Sequence, residues 1–122
     1  MATIEEIAKD TVEMNRSGAS EEAGDKHWAD DVVSKEPMDG PMARIQGKAA
    51  VKAKGEWWFA NHEVHSVDAE GPYIHGDQFI VKFKMDVTVK ESGQRLQMEE
   101  MALYTVKDGK IAEESFFFGG QG

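Results

Sequence analysis

Glu100 is a carboxylate in the middle of an apolar row, and it gives the clearest indication of chemistry in this sequence. Alternate residues from Phe79 to Val89 are apolar, which predicts a long, half-buried β-strand. After the polar segment 91–94, a second row runs through Leu96, Met98, Glu100, Ala102, Tyr104 and Val106. An unpaired charge is costly to bury, so such a carboxylate becomes paired, becomes protonated or lines a pocket.

The pairing of these two strands decides which way Glu100 faces. If residues 91–94 form a four-residue hairpin loop, Val87 lies opposite Met98 and Met85 lies opposite Glu100. Any loop of even length keeps these faces together, whereas an odd length turns the second strand over. The even pairing places Glu100, the candidate for chemistry, and Tyr104 on the same apolar face. It makes Phe83, Met85 and Met98 candidates for ligand binding. The alternative is that Glu100 faces solvent or pairs with Arg44 or a histidine.

A second hairpin extends the same argument to the end of the chain. Asp108-Gly109 is typical of a two-residue turn, which pairs Val106 with Ile111 and Glu100 with Phe117. Phe117 then joins the ligand-binding candidates. The opposite face is apolar and predicts a homodimer interface formed by Met101, Leu103, Phe116 and Phe118. The alternative is that the two phenylalanines pack beneath the N-terminal helix.

Helices precede the sheet and must position these residues. Thr3 with Glu6 forms a capping box at the start of the first helix. A second helix is predicted from Ser20 to about Trp28, and a third from about Lys48 to Asn61. A short strand is predicted over residues 32–36, a loop over 38–47 and a turn at Gly71-Pro72. The fold class is therefore α+β, with three N-terminal helices packed on an antiparallel sheet.

Composition limits the class of protein. The 122 residues predict a single domain over residues 1–118 and a disordered tail over residues 119–122. A net charge of −9 with scattered Lys and Arg argues against nucleic-acid or acidic-membrane partners. There is no cysteine, no signal peptide and no stretch of transmembrane length, so a cytoplasmic protein is expected.

The order of these elements resembles a known superfamily. The segments that carry the resemblance are 29–32 (Ala-Asp-Asp-Val), 47–51 (Gly-Lys-Ala-Ala-Val) and 106–111 (Val-Lys-Asp-Gly-Lys-Ile). Together they resemble the nuclear transport factor 2-like proteins, within the branch of SnoaL-like polyketide cyclases and ketosteroid isomerases. The resemblance implies a cystatin-like cone with a strongly curved sheet and an internal pocket between helices and sheet. It also implies a dimer formed through the outer sheet face.

The ketosteroid isomerase mechanism implied by this resemblance uses a carboxylate base and an oxyanion hole of Tyr and protonated Asp. The matching base position is Glu36, which Pro37 follows. The oxyanion positions fall near Thr11 or Val12 and near Ala102, so those residues do not carry over. Glu100 and Tyr104 flank the second position and are the candidate hydrogen-bond donors, with Glu36 as the base.

Other residues have weaker claims. His65 and His75 are candidates for ligand binding or for acid and base roles, although surface or structural roles are commoner for such histidines. Trp57 lies on the third helix as a core residue or a wall of the pocket. No spacing of His and carboxylates matches a metal-ligand motif, so no metal is expected. The sequence also has no phosphate loop or dinucleotide fingerprint, so no cofactor is expected.

Two functional hypotheses follow. The first is binding of a small apolar molecule with cofactor-independent acid and base chemistry, such as isomerisation, cyclisation or dehydration. The second is a non-catalytic module of the same fold that binds a ligand or dimerises. One cavity that contains both Glu36 and Glu100 would favour the first. A pocket filled by aromatic and Met side chains, with both carboxylates in solvent, would favour the second.

Overall fold

A computed structural model describes residues 2–117 of the chain. These residues form three helices packed on one six-stranded mixed sheet, which gives the expected α+β cone. In chain order the elements are α1 Ile4–Arg16, α2 Ser20–His27, β1 Trp28–Lys35, β2 Arg44–Gln46, α3 Lys48–Asn61, β3 His62–His75, β4 Gln78–Val89, β5 Arg95–Lys107 and β6 Lys110–Phe117. The predicted tail, residues 119–122, lies outside the described residues.

Helix α1 begins as its sequence predicts. The Glu6 backbone N–H donates to the Thr3 hydroxyl at 3.2 Å, and the Thr3 backbone N–H donates to the Glu6 carboxylate at 3.1 Å. This capping box satisfies amides that have no partner within the helix. The helix buries Ile7 and Val12 in the core and packs against β3.

The sheet has the order β2-β1-β6-β5-β4-β3, and its β1–β6 pair is parallel. The expectation of an antiparallel sheet is therefore wrong for this pair. It is parallel because the meander β3-β4-β5-β6 returns the chain beside β1 in the same direction. Strand β1 also begins at Trp28 rather than Val32, and residues 44–46 of the predicted loop pair with β1 as β2.

The β4–β5 hairpin has the predicted faces but different partners. Phe83, not Met85, lies opposite Glu100, because six residues separate the outermost pair, Thr88 and Arg95. The longer loop is closed by backbone hydrogen bonds between Val89 and Gln94 (2.8 Å) and between Gly93 and Val89 (2.8 Å). The length remains even, so Glu100 stays on the inner face of the sheet.

The β5–β6 hairpin departs from the predicted register. Asp108 and Gly109 both have positive φ, 52° and 74°, and the turn pairs Val106 with Ile111 as expected. A bulge then inserts one residue into β6, so that Thr105 pairs with Glu113. The predicted pairing of Glu100 with Phe117 is wrong, because Phe117 pairs with Met101 instead.

This bulge exchanges the faces of the last strand. Glu114 now pairs with Tyr104, and Phe116 pairs with Ala102, on the inner face. Phe117 lies on the outer face and is 49% exposed. The predicted placement of Phe116 on the outer, interface side is therefore wrong, while Phe118 lies outside the described residues.

Strand β3 runs through Gly71-Pro72, which does not form the predicted turn between strands. These residues lie at an irregularity in the β3–β4 pairing, between Glu70 and Tyr73. The chain reverses instead at Gly76, whose φ is 63°. None of the helices within residues 2–117 is long and apolar enough to cross a membrane.

Candidate functional site

A cavity of about 1280 Å³ lies between the helices and the inner face of the sheet. Its volume exceeds the range of about 300–1,000 Å³ that is typical of small-molecule pockets. Most of its wall is apolar, and five glutamates line it: Glu36, Glu100 and Glu114 form an inner group, and Glu21 and Glu99 are exposed. The candidates from sequence that line it are Glu36, Trp57, Phe83, Met85, Met98, Glu100 and Tyr104.

Glu36 is held in the cavity wall by Lys54 of α3. The Lys54 Nζ lies 2.8 Å from the Glu36 Oε1, and the two side chains are only 14% and 15% exposed. The backbone N–H of Glu36 donates to the Ala43 carbonyl at 2.9 Å, which fixes its position after β1. The second oxygen, Oε2, is buried and has no hydrogen-bond partner. Glu36 thus has one oxygen in an ion pair and one buried oxygen without a hydrogen-bond partner.

Glu114 is fully buried, and both of its oxygens accept hydrogen bonds. The Trp28 indole N–H donates to its Oε1 at 2.7 Å, and the Ser34 hydroxyl donates to its Oε2 at 3.0 Å. The parallel β1–β6 register brings Ser34 directly opposite Glu114. Burial raises the pKa of Glu114, and the hydrogen bonds from Trp28 and Ser34 partly offset this rise.

Ser34 connects the two carboxylates through Lys54. The Lys54 Nζ donates to the Ser34 Oγ at 2.8 Å while it pairs with Glu36. Because the Ser34 hydroxyl accepts from Lys54 and donates to Glu114, one hydrogen-bonded chain joins Glu36 to Glu114.

Glu100 lies on β5 opposite Phe83 and faces this group of charges. Burial is the main reason that its pKa rises from 4.5 to about 7, and the negative charges of Glu36 and Glu114 raise it further. Lys54 opposes the rise by a smaller amount. Near neutral pH, Glu100 is therefore present both as a hydrogen-bond donor and as a base.

Tyr104 lies on the same inner row of β5, two positions after Ala102. Its ring stacks on Phe79 with 4.7 Å between the ring centroids. Burial, with the charges of Glu114 and Glu100, raises the pKa of Tyr104 well above its ordinary value of 10. Its hydroxyl consequently stays protonated at neutral pH and can donate a hydrogen bond.

Three sequence candidates for ligand binding lie away from the cavity. His65 is exposed, and its Nε2 lies 2.7 Å from the Thr88 hydroxyl on the neighbouring strand. His75 is exposed at the end of β3. Phe117 lies on the outer face because of the bulge. Trp57 lines the cavity but is 58% exposed, so it is not a core residue and lies at the opening.

Sequence reasoning missed three polar residues of the site: Ser34, Lys54 and Glu114. Alternation along β1 places Ser34 on the same face as Val32 and Glu36, so it could have been found. Helical spacing likewise places Lys54 on the face of buried Val51. Glu114 carried no such signal, because only the bulge turns it inward.

Three helices packed on one mixed sheet, with a cavity between them, place the chain among small α+β proteins of the cystatin-like fold. The chain belongs to the family of SnoaL-like domains, whose family model matches residues 2–118. No curated protein matches the chain.

Solved structures agree with this assignment. One is a protein from Mesorhizobium loti that is 52% identical to this chain. Its provisional name is SnoaL-like polyketide cyclase, with carbohydrate phosphatase as a second designation. The similarity covers 95% of this chain and 99% of that one, with a TM-score of 0.92. A Xanthomonas campestris protein of unknown function with a cystatin-like fold is 21% identical over 99% and 93% of the two chains, with a TM-score of 0.78.

A third structure shares the fold at lower identity. It is a hypothetical Catenulispora acidiphila protein with a ketosteroid isomerase-like fold, in complex with trimethylamine. It is 16% identical over 95% of this chain and 87% of that one, with a TM-score of 0.74. At such identities the likeness concerns the fold alone.

Proposed function

We propose that this protein binds a small, largely apolar molecule in the cavity and moves a proton on it without a cofactor. Isomerisation, cyclisation and dehydration belong to this class of reaction. The observation that carries the proposal is the presence of Glu36 and Glu100 in one cavity, the first with a free buried oxygen and the second with a pKa of about 7.

Glu36 is the proposed base. Lys54 holds its Oε1, so its Oε2 is the oxygen that takes a proton from an acidic C–H of the substrate. The electrons of that C–H bond move towards an adjacent carbonyl, whose oxygen becomes negative. In a β,γ-unsaturated carbonyl compound, Glu36 returns the proton to the γ-carbon, the electrons on the oxygen re-form the carbonyl, and the C=C bond moves to the α,β-position, which completes an isomerisation.

Glu100 and Tyr104 are the proposed donors to that oxygen. Protonated Glu100 and the neutral Tyr104 hydroxyl each offer an O–H on the inner row of β5. Donors placed in a poorly solvated cavity stabilise the developing charge more than water does. This arrangement differs from the Tyr and Asp positions of the ketosteroid isomerases, so the substrate need not be a steroid.

The rival function is ligand binding without catalysis, and 2-tetralone separates the two. This bicyclic, apolar ketone has an acidic C–H next to its carbonyl, and its deuterium uptake in D₂O can be followed by NMR. We expect the wild-type protein to accelerate uptake and E36Q to reduce the acceleration by roughly 100-fold or more. E113Q is the matched control, because Glu113 pairs with Lys35 at 2.6 Å outside the cavity. Binding of 2-tetralone without accelerated exchange would favour the rival function.

We also propose that the protein forms a homodimer through the outer sheet face. Met101 and Phe117 pair there and are 37% and 49% exposed, and the partly buried Leu103 lies beside them. Tyr73, which is 55% exposed, extends this apolar surface, because it pairs with Ile80 and Ile80 pairs with Leu103. Sedimentation equilibrium of the wild-type protein and of M101K tests this proposal: a dimer that M101K converts to a monomer is expected, and a monomeric wild type would contradict it.

A further inference from the structure

The inner cavity holds more negative than positive charge. Glu36, Glu100 and Glu114 all line it, and Lys54 is the basic residue of the described chain that lies among them. Lys54 is committed to the ion pair with Glu36. Glu114 accepts hydrogen bonds but forms no ion pair within the described residues. The charge of Lys54 stabilises the ionised form of Glu100 only slightly.

Charged residues nearer the surface do not restore the balance. Lys52 lines the cavity but pairs with Asp25 at 3.1 Å. Glu99 also lines it and pairs with Lys82 at 3.1 Å. Glu21 adds one more exposed carboxylate to the wall. Within residues 2–117, therefore, no second lysine or arginine neutralises the inner group.

Buried carboxylates are normally paired, because an uncompensated charge is costly in an apolar setting. Protonation of Glu100 removes one of these charges, and a pKa of about 7 means that Glu100 is partly protonated at neutral pH. Lys54 can neutralise only one carboxylate of the group, so ionisation of Glu100 or Glu114 beside Glu36 leaves an uncompensated negative charge in the cavity. A cationic ligand would neutralise this charge and would remove part of the cost.

Two buried oxygens of the wall independently indicate a ligand. The Glu36 Oε2 has no hydrogen-bond partner, although it is shielded from solvent. The Thr11 hydroxyl, on a residue that is only 3% exposed, also lacks a partner and lines the same cavity. Such atoms are uncommon in native structures unless something binds them. A carboxylate oxygen accepts hydrogen bonds, so the group that satisfies Glu36 must donate one.

The aromatic wall suits an organic cation rather than a metal ion. The Lys54 ammonium already lies 5.5 Å from the centroid of the Phe116 ring. Trp57, Trp58 and Phe59 supply further rings along the same wall. Aromatic rings attract ammonium groups and also bury apolar substituents. The wall therefore offers contacts both for a charged nitrogen and for the carbon groups attached to it.

We propose that the cavity takes a small organic cation, a protonated amine on an apolar body, whose N–H donates to the free oxygen of Glu36 beside Glu100. This proposal rests on the proposed function only in taking the cavity as the ligand site, and it does not require proton transfer to carbon. It adds the chemical class of the ligand.

Three naphthalene compounds test the proposal by isothermal titration calorimetry in 150 mM salt, which screens distant charges. They are 2-(2-naphthyl)ethylamine, the neutral 2-(2-naphthyl)ethanol and the N,N,N-trimethyl derivative of the amine. At pH 8 we expect the wild-type protein to bind the amine about tenfold or more tightly than the alcohol. The trimethyl compound should bind less tightly than the amine, because it keeps the charge but has no N–H.

Two variants and a change of pH identify the residues that cause the preference for the amine. E36Q and E100Q should each reduce the preference for the amine over the alcohol about tenfold at pH 8, whereas E113Q should retain it. Lowering the pH to 5.5 should weaken the preference in the wild-type protein, because Glu100 becomes protonated beside Glu36, Glu114, Lys54 and Tyr104. E100Q should lose most of this pH dependence.

The outcomes separate this proposal from the proposed function. Equal binding of amine and alcohol would overturn the cation proposal and leave the apolar cavity as a ligand site. A preference for the amine that persists unchanged in both E36Q and E100Q would also overturn it, since the overall charge of −9 would then explain the attraction. Absence of binding by all three compounds would count against the cavity as a ligand site.

Discussion

Replacement of Glu100 by Gln should change how the stability of the protein depends on pH. The folded protein raises the pKa of Glu100 from 4.5 to about 7, mainly because the side chain is buried. Gln keeps the shape of the protonated acid but cannot ionise. E100Q therefore removes the cost of placing a negative charge beside Glu36 and Glu114.

The sign follows from proton binding. Between pH 4.5 and about 7, Glu100 is ionised in the unfolded chain and largely protonated in the folded one. The folded state then binds more protons, so rising pH destabilises the wild-type protein through this group. Below pH 4.5 the group contributes no such cost, and above about pH 7 the cost reaches its limit.

The magnitude follows from the same interval. One pKa unit corresponds to about 1.36 kcal/mol, so the interval from 4.5 to about 7 amounts to about 3 kcal/mol. The free energy of unfolding of E100Q, minus that of the wild-type protein, should rise by about this amount from pH 4.5 to pH 8. Most of the rise should fall between pH 5 and pH 7.

Urea denaturation followed by tryptophan fluorescence measures this difference at each pH. Taking the difference between two variants cancels the contributions of groups such as Asp10 and Asp86, whose pKa values the fold lowers. E113Q controls for the loss of a carboxylate outside the cavity. A difference between E100Q and wild type that stays constant from pH 5 to pH 8 would refute the assignment of Glu100 to a poorly solvated, negatively charged cavity.

Further substitutions test the supports of the site. Gly24→Ala would place a Cβ 2.6 Å from the Trp28 ring, so we expect a loss of about 1–3 kcal/mol in urea denaturation and a change in Trp28 fluorescence. Ser34→Ala removes a hydrogen bond to Glu114; we expect a loss of about 1–3 kcal/mol and a further rise in the pKa of Glu114, measurable by carboxyl NMR. Thr3→Ala removes the cap of α1 and should cost about 1 kcal/mol, seen as a lower melting temperature by circular dichroism.

Local patterns explain the parts of the fold that the sequence predicted. The capping box at Thr3 and the turn at Asp108-Gly109 depend on residues within a few positions, and both are present in the structure. The prediction that Glu100 faces inward depended only on an even length of the loop between β4 and β5. It is therefore confirmed although the loop is two residues longer than predicted. Alternation of apolar and polar residues predicts the face of the sheet on which a residue lies more reliably than it predicts the residue with which it pairs.

Long-range pairing explains what the sequence did not predict. The parallel pairing of β1 with β6, which puts Ser34 beside Glu114, depends on how the whole meander closes. The contact of Lys54 with Glu36 depends on how α3 lies over the end of β1. Helical periodicity places Lys54 on the face of Val51, but it does not indicate which carboxylate the lysine contacts.

The bulge in β6 determines which residues of the last strand face the cavity. In the regular register that the Val106–Ile111 pair begins, Glu113, Ser115 and Phe117 would face inward, opposite Tyr104, Ala102 and Glu100. One inserted residue instead turns Glu114 and Phe116 inward, beside Tyr104 and Ala102. Burial and the charge of Glu36 raise the pKa of Glu100, and the charge of Glu114 adds to this rise, while Glu114 also accepts a hydrogen bond from Ser34. The same insertion exposes Phe117 on the outer face. The bulge therefore exchanges Glu113 for Glu114 in the cavity wall and Phe116 for Phe117 on the outer surface, and a change in the β6 register would alter both faces together.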